Sequence, residues 1–302
     1  MNRKKIFIIR AGALGDTLML MPVISALRKD YEITVLGRHP GIDYLDLYAD
    51  ACIDMERGGW HRLFSREADI AGFSSCQFEH VFAFINDREN IVSENLYRLF
   101  PDSKIDILPP FPGPASKTHI AVYMMGGLRA AGLPVDPAES FDSAFSKPLM
   151  ELDKGDKSLI VLHPGSGSKT KNYSHEFWFK LLQHIKDDAD HGRDICLLLG
   201  PAEEEIIQVI GEKAKELRAE IFICPHKDEL LSILRNTHLY IGHDSGVTHL
   251  AAMLGVKTIA LFKDSSIDQW RPLGPFASII ESERDAGRLL SKVLDRYRYF
   301  MT

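Results

Sequence analysis

The sequence predicts an α/β protein made of two doubly wound, parallel-sheet domains. Three observations carry that reading. Short apolar runs alternate with helical periodicities along all 302 residues, the pattern of parallel sheets with helices on both faces. A glycine-rich loop follows an apolar run in each half, at "RAGALGD" and at "HPGSGSKTK". The stretch 142–157 is polar, contains Pro148 and holds no period. It marks the expected boundary between a domain at 1–150 and a second at 151–302.

In the first half, residues 5–10 (KIFIIR) read as a buried strand. The loop 11–15 follows, then a helix with Leu20, Val23, Ile24 and Leu27 on one face. Pro22 belongs near a helix start or at a kink, which leaves that boundary open. Further strands are expected at 32–36, 51–54 and 80–85. Residues 109–114 (PPFPGP) form a stiff connection, and 117–132 read as a helix stopped by Gly132-Leu133-Pro134. The second half repeats this grammar. Strands are expected at 158–162, 194–199, 220–223, 238–241 and 257–262, with helices near 174–188, 202–217, 227–236 and 245–254. A last helix, 282–299, is basic towards its end and is expected either to be solvated or to pack back on the N-terminal domain. Two such domains offer strand C-terminal ends and helix N-termini to a ligand cleft between them.

Composition narrows the function. The chain is 45% hydrophobic and 26% charged, with a net charge of −6. Residues 1–150 carry 16 basic and 19 acidic side chains, and 151–302 carry 20 and 23. Neither half has the basic excess of a general nucleic-acid binder, so anions must be met by local clusters. Cys52, Cys76, Cys196 and Cys224 are far apart and form no C-x-x-C, which speaks against a disulfide framework or a zinc site. The N-terminus mimics a signal peptide, but Arg10 and Asp16 interrupt its apolar run. No stretch of 18 apolar residues occurs, so no transmembrane helix is expected. The expectation is a cytoplasmic, soluble protein.

Three loops carry candidate chemistry. "VLHPGSGSKTKNY", 161–173, is no P-loop, because Ser168 stands directly before Lys169 and His163 occupies the earlier glycine position. Gly165, Ser166 and Gly167 still let amides converge, with Lys169 and Lys171 beside them. On these residues alone it is a phosphate cradle or a solvated turn. "RAGALGD", 10–16, is no dinucleotide fingerprint. Gly12 and Gly15 permit a tight turn, and Asp16 is either a helix cap or a general base. In "IGHDSGVTHLAAMLG", 241–255, Asp244 or Ser245 caps a helix whose first amides, near Ser245, Gly246 and Val247, suit an anion. His249 lies one turn in. A metal reading would need His243, Asp244 and His249 to converge, and no spacing fixes a further ligand; no metal is expected. "GHDSG" is not a serine nucleophile elbow.

With these motifs in this order, the chain resembles glycosyltransferase family 9, the heptosyltransferases of the lipopolysaccharide inner core. The similarity runs through "IRAGALGDTLMLMPVISALRKDY", "THIAVYMMGGLRAAGLP", "LHPGSGSKTKNYSHEFWFKLL" and "YIGHDSGVTHLAAMLGVKTIALF". The resemblance implies the GT-B fold, two Rossmann-like domains facing a central cleft, with acceptor on the N-terminal domain and nucleotide-sugar on the C-terminal one. It implies Asp16 as general base, Lys171 on the donor phosphates, and Asp244, Ser245, Gly246 and His249 as the donor-binding segment. One of Glu203, Glu204 and Glu205 would hold the nucleotide ribose. The family often has Lys-x-Trp-Pro where this chain has Lys171-Asn172-Tyr173-Ser174, which alters the packing beside the lysine. The implied activity is inverting, metal-independent transfer of a sugar, heptose from ADP-heptose, onto a glycolipid of the lipopolysaccharide-core type at the inner membrane surface. No cofactor is expected beyond that nucleotide-sugar co-substrate. A nucleotide-sugar epimerase and a non-catalytic nucleotide-sugar binder of an envelope assembly complex are the alternatives.

Overall fold

A computed structural model of the chain describes residues 3–67, 77–153, 155–188, 192–200, 207–283 and 285–302. The chain divides into two units, Met1–Ser143 and Ala144–Thr302. Residues 144–150, placed with the first domain by the sequence reading, attach to the second unit. The backbone amides of Leu149 and Met150 both donate to the Met253 carbonyl.

The first unit holds β1 (Lys4–Arg10), β2 (Tyr31–Gly37), β3 (Ala51–Asp54), β4 (His80–Phe84) and β5 (Lys104–Leu108). They form one sheet of order β3-β2-β1-β4-β5, parallel throughout, with Lys4 opposite Tyr31 and Ile6 opposite His80. Ile6, Phe7, Ile8 and Ile9 are all fully buried. A strand covered on both faces must be apolar at every position, which is why β1 reads as an unbroken run. Phe7 and Ile9 pack with Trp60, Leu63, Phe78, Leu96 and Phe100. The helices are α1 (Leu14–Leu18), α2 (Met21–Leu27), α3 (Ile91–Leu99), α4 (Ile120–Ala130) and α5 (Pro137–Ser143). The single helix expected after the first loop is two, α1 and α2. Pro22 lies in the first turn of α2, where its missing N–H breaks no intrahelical bond.

The second unit holds β6 (Leu159–His163), β7 (Asp194–Leu199), β8 (Glu220–Ile223), β9 (Thr237–His243), β10 (Lys257–Phe262) and β11 (Ala277–Glu281). Their order is β11-β10-β9-β6-β7-β8, again parallel. The helices are α6 (His175–Asp187), α7 (Ile207–Glu216), α8 (Lys227–Asn236), α9 (Gly246–Met253), α10 (Ile267–Trp270) and α11 (Ala286–Met301). Helix α6 buries Phe177, Trp178, Leu181, Leu182 and Ile185 on one face. Helix α11 buries Leu289, Val293, Tyr297 and Phe300 in the same core and packs on α6, β10 and β11. The expected fold class stands: both units are doubly wound, Rossmann-like α/β layers.

Candidate functional site

A doubly wound sheet opens a crevice where its strand order reverses, beyond the strand C-terminal ends. In the first unit that point lies between β1 and β4, and in the second between β6 and β9. Each unit places its candidate residues there.

In the first unit a cavity of about 440 Å³ is lined by Arg10 at the end of β1, Ala11, Gly12, Ala13 and Asp16 beyond it, Arg38 after β2, Phe84 at the end of β4, Ile85 and Asn86 beyond it, Phe64, Pro110 and Phe111. Asp16 is not the N-cap of α1; Ala13 is. Asp16 sits at the third helical position and its Oδ2 accepts the Ala13 N–H at 3.0 Å, the reach-back half of a capping box. Gly12 has a steric reason. A Cβ there would fall 2.3 Å from Asp16 Cβ and 2.7 Å from its Oδ2. Arg10, read in the sequence only as a charge interrupting an apolar run, is 1% exposed. Its Nε donates to the Asp16 carbonyl at 3.4 Å, its Nη1 donates to the Pro110 carbonyl, and its Nη2 lies 3.9 Å from Asp16 Oδ1. Burial lowers its pKa, and the Asp16 charge opposes that shift. The guanidinium covers the Phe111 ring at 4.9 Å.

In the second unit, Lys171 and Asp244 meet. The two are 73 residues apart in sequence, yet Lys171 Nζ donates to Asp244 Oδ2 at 2.9 Å. The other carboxylate oxygen lies 3.2 Å from His249 Nε2. Burial alone would raise the Asp244 pKa. The His249 hydrogen bond and charge, Ser265 and Lys171 outweigh it and hold the carboxyl below the usual carboxylate range. Asp244 ends β9, and Ser245 is the N-cap of α9, its Oγ accepting the Thr248 N–H at 3.3 Å. The amides at the start of such a helix have no intrahelical acceptor, and they lie beside Lys171 through its bond to Asp244.

A buried polar network fixes this helix end against the loop after β6. His163 Nδ1 lies 2.6 Å from the Tyr240 hydroxyl, which is 3.2 Å from Thr248 Oγ1. Ser245 Oγ lies 3.0 Å from Thr248 Oγ1 and 3.5 Å from His163 Nδ1. Burial pushes the His163 imidazole down to about 4, so it is neutral at pH 7. Sequence reasoning missed this network; its signal is a polar side chain within each of the buried strands β6 and β9, His163 and Tyr240. The loop itself is held at several points. Ser166, buried, donates from Oγ to Asn172 Oδ1 at 2.6 Å, and the Tyr173 amide donates to His243 Nε2 at 2.8 Å. Burial pushes the His243 imidazole down to about 3, so the ring is free to accept. His243 therefore faces Tyr173, while His249 faces Asp244. No group of three His, Cys, Asp or Glu side chains suited to a metal occurs among the described residues.

Gly165 is buried and Gly167 exposed in this loop. Tyr173 packs on Phe177 at 5.3 Å and His243 at 5.4 Å. Its hydroxyl is buried with no hydrogen-bond partner among the described residues, and burial pushes its pKa up to about 12. Gly15 is the second residue of α1 and Gly246 the first of α9. The ribose candidates Glu203, Glu204 and Glu205 lie outside the described residues.

The family model described as glycosyltransferase family 9 (heptosyltransferase) matches residues 127–295. Among curated proteins, the chain is 27% identical over 136 residues to lipooligosaccharide heptosyltransferase 2 of Campylobacter jejuni and 26% identical over 155 residues to that of Haemophilus influenzae. These matches cover 44% and 49% of this chain but only 41% and 43% of the relatives' own lengths. Among solved structures, the E. coli heptosyltransferase WaaC with ADP aligns over 99% of this chain and 100% of its own, with a TM-score of 0.69 at 14% identity. That likeness is one of fold.

Proposed function

The chain belongs to glycosyltransferase family 9, and from that premise we propose that it is an inverting, metal-independent transferase moving heptose from ADP-heptose onto a glycolipid acceptor of the lipopolysaccharide-core type. The observation that carries the reading is the Lys171–Asp244 pair at the start of α9. A leaving nucleoside diphosphate gains negative charge as the glycosidic bond breaks. Lys171 uses one of its three donors on Asp244 and keeps two, and the α9 amides add fixed dipoles. Oriented donors of this kind are worth about 3 kcal/mol each, roughly a hundredfold in rate. They supply the positive charge that a divalent cation supplies in other transferases. The E. coli relative solved with ADP supports adenine as the donor base.

Asp16 is the base in this reading. Its Oδ1 is free of the capping bond, which uses Oδ2, and Asp16 lines a cavity large enough for a sugar. Asp16 takes the proton of the acceptor hydroxyl, and that oxygen attacks the anomeric carbon opposite the diphosphate. The carbon–oxygen bond to the diphosphate breaks, and ADP leaves with the electron pair. The acceptor is presented at the inner membrane surface. Among the described residues no helix is long and apolar enough to cross a membrane.

The test measures ADP release and product mass with ADP-heptose and a deacylated lipopolysaccharide inner-core oligosaccharide. Melting temperatures with ADP, UDP, GDP, CMP and dTDP, with and without magnesium, fix the base. Asp16→Asn is expected to lower turnover about 10²–10⁴-fold, the usual worth of a general base, and to bind ADP normally. Lys171→Ala is expected to weaken ADP binding. Full turnover by Asp16→Asn would remove the base assignment. An altered sugar formed without acceptor would indicate an epimerase, and ADP binding with no chemistry a binding protein.

A further inference from the structure

The buried guanidinium of Arg10 carries one nitrogen, Nη2, whose N–H groups nothing takes up among the described residues. Its Nε and Nη1 bind the carbonyls of Asp16 and Pro110. Its Nη2 is buried and has no hydrogen-bond partner among the described residues. The nearest anionic atom, Asp16 Oδ1, stands 3.9 Å away, too far for a hydrogen bond. Arginine stays charged in proteins, and an orphaned N–H on a buried charge is costly to keep. Both atoms belong to residues that line the first-unit cavity. The guanidinium is fixed in place by β1, whose last residue it is, by the two carbonyls and by the Phe111 ring below it. Such immobility suits a group that must be aimed before substrate arrives.

We propose that Arg10 is a catalytic residue: its Nη2 and Asp16 Oδ1 form a two-point clamp on the acceptor's nucleophilic hydroxyl. Their separation of 3.9 Å lets one oxygen lie about 2.8 Å from each, an ordinary hydrogen-bond length. The hydroxyl accepts from Arg10 and donates to Asp16. One lone pair is thereby occupied and the proton is directed at the base, which leaves the other lone pair for attack. As the O–H bond breaks, the proton passes to Asp16 Oδ1 and the electron pair stays on oxygen, then forms the new bond to the anomeric carbon. Arg10 stabilises the negative charge while it exists. This rests on the transferase reading with Asp16 as base, and adds the group that holds the nucleophile.

The experiment compares Arg10→Lys, Arg10→Ala and Asp16→Asn with the full-length wild type, using ADP-heptose and the inner-core oligosaccharide. Arg10→Ala is expected to lose roughly a hundredfold in kcat, the usual loss on removing one oriented donor, with the acceptor KM changed much less. Guanidinium ion at non-denaturing millimolar concentration restores part of that rate. Arg10→Lys, whose single ammonium does not reproduce the three-way fork, recovers little. ADP binding, read by calorimetry, stays at the wild-type value. Full kcat in Arg10→Lys and Arg10→Ala, with Asp16→Asn inactive, overturns the clamp and leaves the base assignment. Full turnover in Asp16→Asn removes the base reading instead. A loss confined to stability and acceptor KM, with no rescue by guanidinium, marks Arg10 as structural only. If neither arginine variant folds, the wild type decides. The acceptor lacking that hydroxyl must bind at least about tenfold more weakly than the intact one, since it leaves a buried donor unpaired, and equal affinities refute the proposal.

Discussion

Asp244→Asn tests the electrostatics of the second unit with little change of shape. Asp244 is 5% exposed and holds Lys171 on one oxygen and His249 on the other. Asparagine keeps one oxygen but turns an NH2 group towards a donor. Removing one member of a buried ion pair costs about 3–5 kcal/mol. The Lys171 side chain is 35% exposed, so its ammonium regains water and the cost falls to the lower end, about 3 kcal/mol. The unit spans Ala144–Thr302, and for a domain of that size about 3 kcal/mol lowers Tm by roughly 6–12 °C. The dependence on pH has a definite sign. The folded pKa of Asp244 lies below its ordinary value. Its stabilisation is therefore complete above the unfolded pKa, about 3.9, and is lost as pH falls from there towards the folded pKa. Thermal unfolding followed by fluorescence, with Trp178 in the core of this unit, is the assay. The gap between wild type and variant should narrow as pH falls below the unfolded pKa, about 3.9. A variant that melts with the wild type at pH 7, or a gap that persists undiminished in acid, would refute the reasoning.

Two further outcomes are expected. Tyr173→Phe removes a buried hydroxyl that has no partner among the described residues, and the ring contacts with Phe177 and His243 remain. Its Tm should equal or exceed that of the wild type, because an unsatisfied buried polar group costs about 1–3 kcal/mol; a marked fall in Tm would show that the hydroxyl is bonded in the native protein. Gly12→Ala drives a Cβ to within 2.3 Å of Asp16 Cβ, so Asp16 must move. On the proposed assignment of Asp16 as base, glycosyl transfer should fall at least about tenfold, since a base displaced by even 1 Å loses its geometry, while ADP binding is retained; unchanged transfer would mean that Asp16 need not be where it stands.

The sequence by itself determined the alternation of strand and helix, because a strand buried on both faces and a helix buried on one each leave a period in the chain. Runs such as 5–10 and 257–262 and the 3.6-residue face of 175–187 could be read directly. It also located the loops 10–16, 161–173 and 241–255, since glycine and capping residues answer to local backbone geometry. Strands β5 (KIDIL) and β11 (ASIIE) were not read. They are sheet edges, mostly half-buried, and mix polar with apolar residues, so their pattern is weak. Helices α3 and α5 were likewise not read; α5 buries only Pro137 and carries almost no apolar face. The chemistry within each site was decided by tertiary structure alone. Lys171 read as a cation beside a glycine-rich loop and is paired with a carboxylate 73 positions away. Arg10 read as an interruption and is buried, bonded to a carbonyl 100 positions away. Local sequence carries propensity and periodicity, which act over a few residues. Which charges are paired, which donors are left over and which way they point depend on strand order, and strand order is a property of the folded sheet.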